Sequence, residues 1–375
     1  MNSAGSREVF VVRDRAQLKR EKVEHARPVV EEYRRLDEVA AIYYGGSLFA
    51  GLGNSTSDVD VFVVRKDAGD IPEPAQSLVE GQRVDVEFKT PEWFERISHL
   101  ADDLEITTMS YGQLLTPRSD VDGAIRLLQG EDPFEDKGAG EARARLRANE
   151  DTLRRILVLR PAFQCGGIIE DLAGVLDDGD SRSAAIISRD LLLEALEGFL
   201  AGCGDLYLGK KWTWPKLRRS AGPALPMDYV EELFDFDGAT HDARMDRAFE
   251  RLYFAQQLLV AAFTYGWDGP DAGAWPSWGA PEAEGPRRSF EWIPLRLKDA
   301  IVLRHVTERS VKVSVQGLTL WGIARGQSRR AIVDEMLSLL PEQTDALRQE
   351  VESYLDQLIA AGAVSNEPPP IAAEA

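Results

Sequence analysis

Residues 42–64 read IYYGGSLFAGLGNSTSDVDVFVV, with Asp58 and Asp60 one residue apart at the head of an apolar run. On a strand, residues two apart point the same way, so the two carboxylates share a face. Side by side without a partner, each raises the other's pKa. A divalent cation removes the conflict. Mg²⁺ is hard, takes oxygen ligands and is usually held by few carboxylates together with substrate phosphates. The pair asks for a third acidic group, and RVDVEF at 83–88 offers Asp85 and Glu87, again on one face of one strand. Ahead of the pair stands the turn Gly45-Gly46-Ser47. Glycine lets backbone come close to a ligand. A short helix beginning after Ser47 would present free N–H groups to an anion, and the Ser47 hydroxyl could reach a terminal phosphate. Ser57 joins Gly45, Gly46 and Ser47 as a candidate nucleotide-binding residue. A phosphate-cradling turn beside three carboxylates on neighbouring strands describes a nucleoside-triphosphate site. The plainer alternative is an ordinary loop leading to a solvated strand end, and the ordered presence of all three elements speaks against it.

With those residues in place, the chain resembles the nucleotidyltransferase superfamily of DNA polymerase β, aminoglycoside nucleotidyltransferases and CCA-adding enzymes. The shared pattern is Gly-Gly-Ser, some ten residues, Asp-x-Asp, then an acidic residue on a later strand. It stands here as Gly46-Ser47, Asp58-Val59-Asp60 and Asp85, within residues 35–95. The resemblance implies that Asp58 and Asp60 hold two Mg²⁺ ions, with Asp85 as a third ligand that also helps activate the attacking hydroxyl. Glu87 is the fallback for that role. The implied chemistry is transfer of a nucleoside monophosphate, by default AMP from ATP, to an acceptor hydroxyl with release of pyrophosphate. A degenerate, non-catalytic version is the alternative.

These residues need an α/β frame. Residues 15–36 read as a charged surface helix, and Val39–Tyr44, Val59–Val64 and Arg83–Phe88 read as strands. After EDPFEDKGAGE the periodicity turns helical over 142–160, 165–177, 182–202 and 241–265, which predicts a bundle. Residues 266–290 are rich in Gly and Pro and read as a linker, with Trp267, Trp275 and Trp278 laid against a surface. Beyond it, IVLRHVTERSVKVSV reads as a strand pair, RRAIVDEMLSLL and TDALRQEVESYLDQLIAAGAV as amphipathic helices, and NEPPPIAAEA as a frayed end. The expected fold is α+β: a nucleotidyltransferase domain with a mixed sheet (1–135), a helical substrate-binding domain (136–265), a linker (266–290) and a small winged-helix-like domain (291–365).

Two further stretches invite a chemical reading. GKKWTWPKLRRS carries Lys210, Lys211, Lys216, Arg218 and Arg219. It is either a cationic patch near a triphosphate or anionic acceptor, with Lys210 and Lys211 as nucleotide-binding candidates, or a solvated loop with Trp212 and Trp214 under its stems. The helix before it resembles the helical substrate domains of small-molecule nucleotidyltransferases, which implies Asp190 or Glu194 as an alternative base. The plainer reading is surface or capping carboxylates. Residues 291–365 resemble the winged-helix peptide chaperone of pyrroloquinoline-quinone assembly and related precursor-peptide recognition elements, through VKVSVQGLTLWGIARGQSRRAIVDEML and VESYLDQLIAAGAV. That implies a peptide added to a sheet edge beside a helix. A module that only packs or dimerises fits the same pattern.

Composition narrows the partners. The 375-residue chain has a net charge of −19, which disfavours nucleic acid and suits a divalent cation. The acceptor is then a small molecule or a peptide-borne group. Cys165 and Cys203 form no framework, and His25, His99, His241 and His305 show no ligand spacing. No run reaches membrane-span length and no signal-peptide core precedes residue 15, so a cytoplasmic protein is expected, with a homodimer as a candidate assembly. Two other functions stay open: a peptide- or partner-binding module with a degenerate front domain, and an antitoxin-type nucleotidyltransferase acting on protein or RNA.

Overall fold

The computed structural model describes residues 14–69, 71–134, 138–235, 237–282, 285–307 and 309–367. The expected frayed end from residue 368 onward lies outside them. Among the described residues the chain forms twelve α-helices and a mixed four-stranded sheet with smaller antiparallel sheets. No described helix is long and apolar enough to cross a membrane. Contacts divide the chain into two compact units, 1–100 with 117–148, and 101–116 with 149–375.

The first unit opens with α1 (Arg15–Arg34), whose N-cap Asp14 accepts from the Ala16 amide. The sheet comprises β1 (Val39–Gly45), β2 (Val59–Arg65), β3 (Ala75–Val79) and β4 (Gln82–Lys89) in the order β1-β2-β4-β3. Only β2 and β4 run parallel. Alternation along these strands sorts the faces. Val59, Val61, Val63, Val84 and Val86 pack under Ala26 and Val30 of α1. The helix expected on the surface thus buries a stripe one residue in four: Leu18, Lys22, Ala26 and Val30. On the opposite face Tyr43 and Phe62 stack at 4.9 Å, next to Phe94 of α2 (Pro91–Ser98) and Arg126 of α3 (Arg118–Gln129). Helix α4 (Gly140–Ala148) completes this unit. Strand β3 was not anticipated. Its sequence, AQSLV, has too little apolar alternation, yet the Glu80-Gly81 turn, with φ of 50° and 83°, folds it back onto β4 as a two-residue hairpin does.

In the second unit a long α5 (Glu150–Asp177) packs with α6 (Ser181–Gly202) and α9 (His241–Thr264), joined by the shorter α7 (Thr213–Ser220) and α8 (Met227–Asp235). Two expected helices, 142–160 and 165–177, are instead α4 and the single α5, which runs through Pro161. The segment read as a linker is part of this core: Trp275 is fully buried and Trp267 nearly so. Gly and Pro there serve tight packing rather than freedom. After it come the short β5 (Arg287–Arg288), the antiparallel β6 (Trp292–Arg296), β7 (Ile301–His305) and β8 (Ser310–Val313), then α10 (Val315–Ile323), α11 (Arg329–Ser338), α12 (Asp345–Ala360) and β9 (Val364–Ser365), which pairs with β5. Fully buried Arg288 donates to the Gly322 and Tyr253 carbonyls and to Gln256, tying α10 to α9. Residues 291–365 therefore share one compact unit with the helices before them.

Candidate active site on the first-unit sheet

The parallel register of β2 and β4 sets Asp60 directly opposite Asp85. Asp58 stands just ahead of β2 on the same side. Its carboxylate accepts a hydrogen bond from Arg83, whose Nε lies 3.6 Å from Asp85 Oδ1. Gln76 of β3 donates to Asp85 at 2.8 Å. The three carboxylates singled out by spacing are thus brought to one sheet face. Glu87 lies one step further along, opposite Phe62, where Lys89 at 2.7 Å and Arg126 at 3.6 Å neutralise it.

The electrostatics differ from carboxylate to carboxylate. Burial pushes the Asp60 carboxyl up to about 6, with Arg126 opposing and Asp58, Glu87 and Asp85 adding to the rise. Burial also pushes on Asp58, but the Arg83 hydrogen bond and one shared with Asp85 outweigh it and hold this carboxyl below its ordinary value. Asp85 is raised, first by burial and then, against Gln76, by its shared hydrogen bond with Asp58. The hydrogen bond between the two thus works in opposite directions, lowering Asp58 and raising Asp85.

The Gly45-Gly46-Ser47 turn sits against this face. Gly46 adopts φ +80°, and a Cβ there would land on Asp60 Oδ2. No helix follows Ser47. Residues 46–53 form a hydrogen-bonded turn in which Ser47 O accepts from the Leu52 amide at 2.8 Å and the Gly53 amide at 2.9 Å, and Gly46 O accepts from Ala50 at 3.1 Å. The amides of Phe49 to Gly53 are spent inside this turn, while those of Ser47 and Leu48, at its head, meet no backbone acceptor among the described residues. Ser47 is buried. The Ser57 hydroxyl accepts from the Asn54 amide at 2.9 Å and donates to its side chain, so it braces the loop before Asp58.

Sequence reasoning missed the cations of this face, Arg83, Arg126 and Lys89, and Lys22 of α1 at the strand ends. Lys22 of α1 is almost fully buried and donates to Ser57 O and Gln82 Oε1, both at 2.6 Å. Arg83 was legible, since it stands two residues before Asp85 and must share its side. The donor set suits a hard divalent cation in type and in backbone register. The side chains do not form a ready cage, however. Among the described residues no three His, Cys, Asp or Glu groups gather closely enough to hold a metal ion, and Arg83 bridges Asp58 and Asp85.

No protein-family model and no curated protein matches the chain. Nine chains of solved structures match, among them a nucleotidyltransferase-like protein from Exiguobacterium sibiricum 255-15, 13% identical, with 65% of this chain and 77% of that chain covered at a TM-score of 0.39.

The remaining candidates belong to the second unit. Lys210 pairs with Glu194 at 3.0 Å and Lys211 lies over the Trp212 ring. Lys216 is fully buried on Glu197 and the Tyr207 carbonyl, and Arg219 grips buried Asp205. The basic stretch is therefore mostly engaged within its own unit. Asp190 is exposed, and Glu194 is occupied by Lys210. Of the histidines, His305 is buried on Thr307 and Glu291, and Cys165 and Cys203 are free thiols.

Proposed function

We propose that the chain is a Mg²⁺-dependent nucleotidyltransferase that moves a nucleoside monophosphate, by default AMP from ATP, onto a hydroxyl of a small molecule or peptide-borne acceptor. One observation supports this most: Asp60 and Asp85 are register partners on parallel strands, Asp58 shares a hydrogen bond with Asp85, and all three lie beside a turn whose glycine leaves room for Asp60. Asp58, Asp60 and Asp85 would hold the cations once Arg83 lets go. Bound divalent ions supply charge compensation at the attacking and leaving oxygens of an in-line displacement. The chain's own contribution is position and proton handling. The acceptor oxygen attacks the α-phosphorus, the bond to the β-phosphate oxygen breaks, pyrophosphate leaves, and Asp85 is placed to take the acceptor's proton.

Thermal melts with each of four nucleoside triphosphates, with and without Mg²⁺, test the assignment. Stabilisation by one triphosphate plus Mg²⁺, lost in Asp58→Ala/Asp60→Ala, supports it. Labelled ATP with an acceptor panel should then give an adduct heavier by one AMP. Release of AMP and pyrophosphate alone means hydrolysis and overturns the transfer.

A second reading, capture of a peptide by residues 291–365, is favoured by one feature. β8 ends its sheet, its residues alternate between exposed and half-buried, and a groove of about 400 Å³ opens from Ser314, just past its end, among α10, α11 and α12, lined by Leu320, Met336, Val351 and Tyr354. An edge strand beside an apolar groove is the geometry of strand addition. Binding of a peptide library without any response to triphosphates would favour that reading.

A further inference from the structure

Arg83 is the residue this face has no use for if a metal is always present. It stands two positions before Asp85 on β4, so the strand's period sends it to the carboxylate side. Its guanidinium donates to Asp58 and lies 3.6 Å from Asp85, while Arg126 is the cation nearest Asp60, at 3.8 Å. Lys22, the other cation beside Asp58, is held by two hydrogen bonds and buried to 6% exposure. Arg83 is different, with half its side chain in water. It can leave by rotating its stem outward, with little packing lost.

We propose that Arg83 is a built-in counter-ion for Asp58 and Asp85, and that a divalent cation enters this site only by exchange with its guanidinium. The inference rests on the nucleotidyltransferase reading and deepens it. Two neighbouring carboxylates with no cation between them repel each other. The Arg83 guanidinium, donating to Asp58 and 3.6 Å from Asp85, offsets that repulsion while no ion is bound. A divalent ion offers two charges and direct oxygen coordination against one charge and hydrogen bonds, so exchange proceeds when the ion arrives with its polyphosphate. The released guanidinium then has donors suited to phosphate oxygens. Free cation alone meets a competitor, and affinity for it is suppressed.

Mn²⁺ binding to the full chain, followed by the electron paramagnetic resonance signal of free Mn²⁺, tests the exchange without any turnover. Arg83→Gln and Arg83→Met both remove the competitor, the second with an apolar stem that suits the sheet surface. Each should bind Mn²⁺ about tenfold more tightly than wild type, the scale of one charge-assisted hydrogen bond, and adding Asp58→Asn should abolish the gain. Neutral variants that bind no more tightly, while Asp58→Asn still weakens wild type, would overturn the exchange and leave the metal site standing. A gain that survives Asp58→Asn would also overturn it, because the ion then sits elsewhere. Absence of saturable Mn²⁺ binding in every variant would overturn both the exchange and the metal reading.

Discussion

At Asp60 the structure makes a prediction that needs no ligand. Its carboxyl rises to about 6 in the fold, mainly through burial, against roughly 3.9 in an unfolded chain. A raised carboxyl leaves stability intact below the unfolded value, and stability is lost as pH climbs through the folded one. Asp60→Asn should therefore stabilise the metal-free protein at pH 8 by at most about 3 kcal/mol, at about 1.36 kcal/mol per pKa unit. The gain should fall to about half by pH 5. Urea denaturation at the two pH values checks it, and an equal effect at both would sink it. Gly46 argues at the same scale. Its φ of +80° and its closeness to Asp60 leave no place for a Cβ, so Gly46→Ala should cost about 2 kcal/mol or more through strain and overlap, read as a lower urea midpoint. The Gly-Gly-Ser signal was legible, and the structure adds a reason for its glycine: the nearest neighbour that Gly46 accommodates is the protein's own carboxylate. A third residue, Tyr43, is fully buried with its hydroxyl unpaired. Leaving a polar group in that state carries a penalty, so Tyr43→Phe should raise the melting temperature slightly, by up to a few degrees.

At the scale of elements, the period-two pattern made β1, β2 and β4 readable, and with them the shared face of Asp58, Asp60 and Asp85. What stayed hidden depends on register and on tertiary partners. Arg83 meets Asp58 only because β2 and β4 run parallel in one register. Lys22 looks like any helix-surface lysine until α1 is laid on the sheet. At 46–53 the small and apolar residues fit a turn and a short helix equally, and only the hydrogen bonds decide for the turn. α10 was missed because GLTLWGI is apolar all round, which erases the amphipathic stripe. Lys22 supplies the test at this scale. Its ammonium joins the Ser57 carbonyl before β2 to Gln82 at the head of β4, so it fixes the ends from which Asp58 and Arg83 project. Lys22→Met keeps the stem and removes the link. It should cost about 1–3 kcal/mol, the range for a buried polar group losing its charged partner. Hydrogen exchange should rise at residues 57–60 and 82–85 while α2 and α3 stay protected, and uniform loosening of the unit would contradict the local role.

Across the whole molecule the dominant quantity is the net charge of −19. Such an excess works against any compact state through self-repulsion, and salt screens it over about 10 Å at 0.1 M. The melting temperature should therefore rise as NaCl is added from very low ionic strength, in wild type and in every site variant alike. Screening is blind to where the carboxylates sit; a metal site is not. MgCl₂ compared with NaCl at equal ionic strength separates the two contributions. A site that gathers Asp58, Asp60 and Asp85 around a divalent ion binds the folded chain preferentially, and stabilisation then follows ligand concentration by mass action. Wild type should melt higher in MgCl₂ than in matched NaCl, and Asp58→Asn/Asp60→Asn should melt at the same temperature in both. The double variant loses two negative charges but also the Arg83 hydrogen bond to Asp58, so each protein is read against its own melt in matched NaCl. That internal baseline is what makes the comparison decisive: loss of the Mg²⁺ increment is then separate from any change in the fold's own stability. An Mg²⁺ increment of equal size in wild type and double variant would assign the effect to the diffuse charge of the chain and remove the metal from this sheet.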